Sequence, residues 1–284
     1  MIIAIVGPTG VGKTKLSIEL AKKYNGIIIN ADAMQVYKGL NIGTAKVRED
    51  EKEGIEHLLF DIKEVNEEYT VYDYQKDVRE LLDKYKDRNI IFVGGTGLYL
   101  KAALFDYRFK DENNNIIDYS NYTNQQLYEM CLEKDPNCKI HINNRVRLER
   151  FLNKEEVEIV EPKLLYDANI IGLTTDRDML YDRINDRVDI MIKNGLLDEV
   201  KYYYNKYPDS KALHRGIGYK ELIDYLDNKC SLEDAISKIK QNSRHYAKRQ
   251  YTFFNNQFNV KWFNVDFNDF NNTINDVLEY LKNR

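Results

Sequence analysis

The sequence predicts an α/β fold, a doubly wound parallel sheet carrying a small helical insertion. Three observations lead there. The chain of 284 residues opens on a continuous apolar run, Ile2-Ile3-Ala4-Ile5-Val6, which passes straight into a glycine-rich turn, Gly7–Thr14. Two further runs of the same kind follow, Ile27-Ile28-Ile29 and Asn89-Ile90-Ile91-Phe92-Val93. Helix-period sequence lies after the first. Continuous apolar runs mark strands buried on both faces, as in parallel sheets covered by helices.

The elements follow in order. Leu16, Leu20 and Tyr24 recur at a spacing of four, which predicts a helix from about 14 to 24, stopped by Gly26. After about Asp106 the character changes: 111–126 is polar and Asn-rich, and 127–152 reads as helical with a basic stretch. Ile170-Ile171-Gly172-Leu173 reads as a return to the sheet. The core is therefore expected over 1–106 and 170–284, with the insertion over 107–169. A long amphipathic helix is expected over 176–204, on the rhythm of Leu180, Ile184, Val188, Ile192, Leu196 and Val200. Ser231 and Asp234 form a capping-box pattern that opens another helix. A last strand at 260–265 and a terminal helix at 271–282 complete the reading.

Composition excludes several classes. The net charge is −4 and charged residues make up 31%, an ordinary soluble surface. Cys131, Cys138 and Cys230 are odd in number and form no C-x-x-C pair, which speaks against a disulfide scaffold or a zinc site. Met1–Val6 is too short and lacks the basic flank of a secretion signal, and no apolar run reaches membrane-spanning length. A cytoplasmic setting is expected.

Gly7-Pro8-Thr9-Gly10-Val11-Gly12-Lys13-Thr14 fits G-x-x-x-x-G-K-[ST] at every fixed position, between a strand and a helix. Glycines let successive N–H groups turn inward around phosphate oxygens, and the helix adds its positive end. Lys13 supplies a cation and the Thr14 hydroxyl a ligand for Mg²⁺. A nucleotide hydrolase would also show an apolar strand ending in Asp. Neither later run does so; instead Asp32 follows the second, and Gly94-Gly95-Thr96-Gly97 follows the third. Asp32 and Thr96 are expected on strands next to the first. Asp32 suits a general base facing the bound phosphate, or the N-cap of a following helix. The glycines suit a tight turn, or close approach to a flat ligand.

Two segments are locally basic: Lys139, Arg145, Arg147 and Arg150, and then Arg244, Lys248, Arg249 and Lys261 with Tyr246, Tyr251, Phe253 and Phe254 among them. Basic residues interleaved with aromatics suit an RNA backbone and unstacked bases.

Five blocks resemble the tRNA dimethylallyltransferases, also called adenosine isopentenyltransferases. They are A-D-A-M-Q-V-Y-K-G-L-N-I-G-T-A-K at 31–46, V-G-G-T-G-L-Y at 93–99, R-I-N-D-R-V-D at 183–189, G-I-G-Y-K-E at 216–221 and A-K-R-Q at 247–250. The resemblance implies a P-loop kinase-like core with a helical insertion gripping the anticodon stem. It implies transfer of a dimethylallyl group from its diphosphate to the exocyclic amine of the adenosine 3′ of the anticodon. Gly7–Thr14 would hold the diphosphate, with Mg²⁺ on Thr14 and help from Arg183 or Arg187. Asp32 would accept the amine proton, with Lys13 and Thr96 completing the catalytic set. Ala33, Met34, Gln35 and Thr96 would line the adenosine site. Val146, Arg147, Leu148, Glu149, Arg150, Arg215 and Lys220 would meet tRNA, as would Arg244 and Lys248 of the second basic segment. A monomer is expected. The sequence departs from the family pattern at Ala33, where Ser is usual, at Gly10-Val11, where Ala-Ser is common, at Ile142 and Asn144, where Pro and Asp are usual, and at Glu56, the first position of a usual His pair whose second is kept as His57. A small-molecule kinase, a prenyltransferase of free adenine nucleotides and an idle RNA-binding module are the competing readings.

Overall fold

The computed structural model describes residues 1–109, 117–153 and 163–284. Parts of the Asn-rich stretch and of the insertion's second half lie outside them. The described chain divides into two compact units, 1–107 with 163–284, and 108–162.

The larger unit is built on a parallel sheet of six strands: β1 (Ile2–Val6), β2 (Gly26–Asn30), β3 (His57–Leu58), β4 (Asn89–Val93), β5 (Ala168–Thr174) and β6 (Lys261–Asn264). Their order is β3-β2-β4-β1-β5-β6. β1 therefore lies between β4 and β5, pairing Ile3 with Ile91 and Asn169. Thr96 does follow a strand beside β1, but β2, which leads to Asp32, pairs with β4 instead. The expectation that both strands neighbour β1 is corrected for Asp32.

Successive residues of each strand face opposite sides. Ala4, Val6, Ile27, Ile29 and Phe92 pack on one side, with Tyr74, Leu100, Leu222 and Phe254. These come from α2 (Val71–Lys84), α3 (Gly97–Leu104), α9 (Tyr219–Leu226) and α10 (Leu232–Gln257). Ile3, Ile5, Ile28, Ile91 and Ile171 pack on the other, with Leu16, Leu180, Ile184 and Val277. Those belong to α1 (Lys13–Tyr24), α6 (Arg177–Lys193) and α11 (Phe270–Lys282). Each fully buried Leu or Ile contributes about 1.5–3 kcal/mol.

The expected long helix is two helices. α6 ends at Lys193, Gly195 takes φ 96°, and α7 (Leu196–Lys206) begins at once. The i, i+4 rhythm runs across this break because both pieces turn apolar sides to the core, so spacing alone could not locate it. Residues 163–169 also belong to the core. Asp106 N–H donates to the Lys163 carbonyl at 2.8 Å, and Leu165 N–H to the Leu104 carbonyl at 2.8 Å, so chain departure and return are stitched together. α2, α3, the short α8 (Lys211–Arg215), α9 and β3 are elements the sequence reading passed over.

The smaller unit holds α4 (Asn124–Lys134) and α5 (Arg145–Leu152), where one helical stretch was expected. Thr123 and Gln126 cap α4 reciprocally. Tyr119, Leu127, Cys131 and Leu148 form its core.

Candidate active site

A cavity of about 1150 Å³ opens in the larger unit, where β1, β2 and β4 end. In doubly wound sheets ligands sit at this end.

The first wall is the glycine-rich turn. Gly7, Gly10 and Gly12 take φ of 131°, 85° and 91°. A Cβ on Gly7 would stand 2.5 Å from the Leu173 carbonyl oxygen, so only glycine lets β1 leave the sheet here. Thr9, Gly10, Gly12, Lys13 and Thr14 face the cavity. Gly7, Pro8 and Val11 are not among its lining residues. Val11 is buried in the core, and Pro8 has no N–H to offer. Of these expected phosphate contacts, Pro8 is therefore ruled out as a donor. Its carbonyl oxygen accepts instead, from Lys13 Nζ at 2.6 Å, and the Gly7 oxygen accepts at 3.0 Å.

The second wall is α6. Arg183 and Arg187 stand one turn apart and both face the cavity. Arg183 Nε donates to the Gly10 carbonyl at 3.1 Å, and its guanidinium lies 3.8 Å from the Phe267 ring centre. Burial, then the charge of Arg187, lowers Lys13 to about 7, against a weaker upward pull from Asp32. Burial also lowers Arg187, with Arg183 adding to that and Asp32 opposing it. Lys13, Arg183 and Arg187 thus crowd one place at a cost that a polyanion would remove.

The third wall faces the cations from β2 and β4. Asn30, fully buried, donates to the carbonyls of Asp32 at 2.9 Å and Leu59 at 3.0 Å, and accepts from Asp32 N–H at 2.9 Å. That fixes the Asp32 backbone. Asp32 Oδ1 accepts from Met34 N–H at 2.9 Å. No helix follows, so Asp32 closes a side-chain turn and is no N-cap. The Thr96 hydroxyl oxygen accepts from Ala33 N–H at 3.0 Å, tying the β4 turn to the β2 turn. A Cβ on Gly94 would lie 2.2 Å from Ala31 backbone, and one on Gly95 2.0 Å from Gln250 Nε2. These glycines serve close packing of protein on protein. Ala33, Met34 and Gln35 line the cavity, and Gln35 Nε2 donates to the Thr44 carbonyl at 3.0 Å.

Glu199 of α7 was invisible to the sequence reading. Its carboxylate accepts from Asn41, Ile42 and Gly43 N–H at 2.9, 2.8 and 3.0 Å, and from the Tyr219 hydroxyl at 2.7 Å. It clamps the far end of the 31–46 block, where Gly43, Thr44 and Ala45 line the cavity.

Arg215 and Lys220 reach the cavity rim. On α10 the cavity is met by Ile239, Ser243, Tyr246, Arg249 and Gln250, whereas Arg244 and Lys248 are not among its lining. Arg244 donates to Asn185 Oδ1 at 2.6 Å, and Lys248 is exposed. A helix turns 100° per residue, so neighbours in a basic run face different ways; helical spacing from Ser243 would have singled out Tyr246 and Gln250.

In the smaller unit Val146, Arg147 and Arg150 are exposed, while Leu148 is fully buried and Glu149 pairs with Arg145 at 2.7 Å. Leu148 is core, which corrects its reading as an RNA contact. Among the described residues no three His, Cys, Asp or Glu side chains converge to hold a metal, and no helix is long and apolar enough to cross a membrane.

Comparison with known proteins gives a consistent picture. A family model described as IPP transferase matches residues 35–257. A tRNA dimethylallyltransferase of Bacillus cereus is 44% identical over 307 aligned positions, covering 100% of this chain and 95% of the relative. The crystal structure of a tRNA isopentenylpyrophosphate transferase from Bacillus halodurans superposes with a TM-score of 0.78 at 40% identity, covering 99% of this chain and 95% of that one. A eukaryotic dimethylallyltransferase acting on tRNA gives 0.79 at 29% identity, covering 100% of this chain and 80% of that one. On these matches, with the cradle and the carboxylate wall facing each other across one cavity, the chain belongs to the IPP transferase family.

Proposed function

We propose that this protein transfers a dimethylallyl group from dimethylallyl diphosphate to the exocyclic amine of an adenosine in tRNA, the one just 3′ of the anticodon. The observation that carries the reading is the opposition within one cavity of Lys13, Arg183 and Arg187 to Asp32. The cations and the inward N–H groups bind the diphosphate as leaving group, and charge developing on it is stabilised there. Asp32, its Oδ1 held by Met34 N–H, accepts the amine proton as nitrogen attacks the allylic carbon. The bond from that carbon to the diphosphate oxygen breaks as the carbon–nitrogen bond forms. Thr96 holds the Asp32 turn through Ala33.

Thr14, exposed on the cavity wall, would be the residue to hold a Mg²⁺ ion beside the diphosphate, its hydroxyl being the oxygen donor such an ion takes. When bound, the ion would neutralise charge on the leaving group. The target base must leave its stack to enter such a cavity. Arg215, Lys220 and Arg249, which line the cavity, suit the RNA backbone beside it; in the smaller unit, taken by itself, the exposed Arg147 and Arg150 suit RNA phosphates and Val146 a base or sugar face. The protein is expected to act as a monomer in the cytoplasm.

The test is incubation with unmodified tRNA and dimethylallyl diphosphate, followed by nucleoside mass spectrometry. A gain of one dimethylallyl group on adenosine is expected. No gain, together with ATP turnover on a small acceptor, would make the protein a kinase.

A further inference from the structure

Tyr246 faces the cavity from α10, close to Asp32, Thr96 and Gln250, and the transfer chemistry gives it no task. Burial, with the Asp32 charge adding to it, pushes its phenol up to about 12. It therefore keeps its proton at neutral pH and remains a donor. Its surroundings are fixed. Gln250, one turn on, donates Nε2 to the Gly95 carbonyl at 3.0 Å. A carbonyl only accepts, so this bond decides which way round the amide sits. Gln250 Oε1 is buried without a partner. The Thr96 oxygen accepts from Ala33 N–H, and the Thr96 side chain also hydrogen-bonds the Tyr246 phenol. The side chains of Thr96 and Gln250 hydrogen-bond that phenol in the sense that favours its oxygen as acceptor, which leaves its own proton to be donated into the cavity.

The amine edge of adenine carries a donor, the exocyclic N–H, beside an acceptor, ring N1. Single-stranded bases are read on this edge. Asp32 can only accept, and takes the amine. Lys13 and Arg187 are cations suited to the diphosphate. A neutral donor beside Asp32 is what N1 requires. Resting on the transferase reading, we propose that the Tyr246 hydroxyl donates a hydrogen bond to N1 of the target adenine, so that Asp32 and Tyr246 together select adenine by its donor–acceptor order. Guanine reverses that order: its O6 would meet the carboxylate and its N1–H the hydroxyl proton. A site built to hydrogen-bond its substrate rejects an analogue that leaves buried groups unpaired.

The experiment is a cycle between protein and substrate. Anticodon stem-loops carry adenosine or 1-deazaadenosine, in which C–H replaces N1, at the target position. Each is reacted with dimethylallyl diphosphate and either the wild-type protein or Tyr246→Phe. The wild type is expected to lose about tenfold in kcat/KM on 1-deazaadenosine, the scale of one buried neutral hydrogen bond. Tyr246→Phe is expected to lose about as much on adenosine and nothing further on 1-deazaadenosine, whereas a merely structural role would leave the two losses additive. Additive losses overturn the proposal. So does a wild type indifferent to the N1 replacement, a result that stands even where the variant fails to fold. Absence of product from the wild type on adenosine would overturn the transferase reading itself, and this proposal with it.

Discussion

The Tyr219 hydroxyl donates to the Glu199 carboxylate at 2.7 Å, joining α9 to α7 at the point where Glu199 also gathers three consecutive backbone N–H groups. A single carboxylate thus pins the backbone of 41–43, where Gly43 begins a segment that lines the cavity. Hydrogen bonds to a charged group contribute about 1.5–3 kcal/mol each. Glu199→Ala should lower stability by at least about 2 kcal/mol, or roughly 4–8 °C in melting temperature for a chain of this size. Thermal unfolding checks this, and KM for tRNA should rise more than KM for the diphosphate.

Asp32→Asn keeps an oxygen for Met34 N–H and so preserves the turn. Turnover should fall at least about a hundredfold, the usual scale for loss of a general base. Affinity for inorganic diphosphate by calorimetry should not fall, since the cradle's own contacts remain and the variant removes a negative charge that acts on Lys13 and Arg187. Near-normal turnover would remove Asp32 from the base role.

Lys13 has a pH signature. Its pKa in the folded protein is about 7, below the ordinary 10.5, because of burial and Arg187. Between those values the unfolded chain holds the extra proton, so stability rises with pH through that window; below 7 the full cost of the buried cation is present. Diphosphate reverses the balance by favouring the charged lysine. Its binding near pH 8 should take up a proton, measurable as a buffer-dependent calorimetric heat, and affinity should fall as pH climbs above 7. Lys13→Met should melt higher than wild type at pH 6 without ligand, and show no proton uptake with it.

Leu148 and Val146 separate core from surface on α5. Leu148, fully buried, should cost about 2–5 kcal/mol of the smaller unit's stability when changed to Ala. Val146 is 57% exposed, and its change to Ala should leave stability within about 0.5 kcal/mol. A fall in tRNA affinity by filter binding in that variant would support RNA contact.

The sequence by itself determined the strands other than β3, the glycine-rich turn and its lysine, and the place of Asp32 and Thr96 after strand ends. Those are local facts. Buried strands need unbroken apolar runs, and a turn of inward N–H groups needs glycine at set positions such as Gly7. Only the tertiary structure decided the rest. Strand order, which sets β4 and not β2 beside β1, is a matter of long-range pairing that no local pattern carries. The break at Gly195 lies inside an unbroken apolar rhythm. Whether a basic residue faces a cavity depends on which side of its helix packs. That is why Tyr246, Arg249 and Gln250 line the site while Arg244 turns to Asn185. Glu199 acts on a segment more than 150 positions away, and only folding brings its carboxylate to those N–H groups.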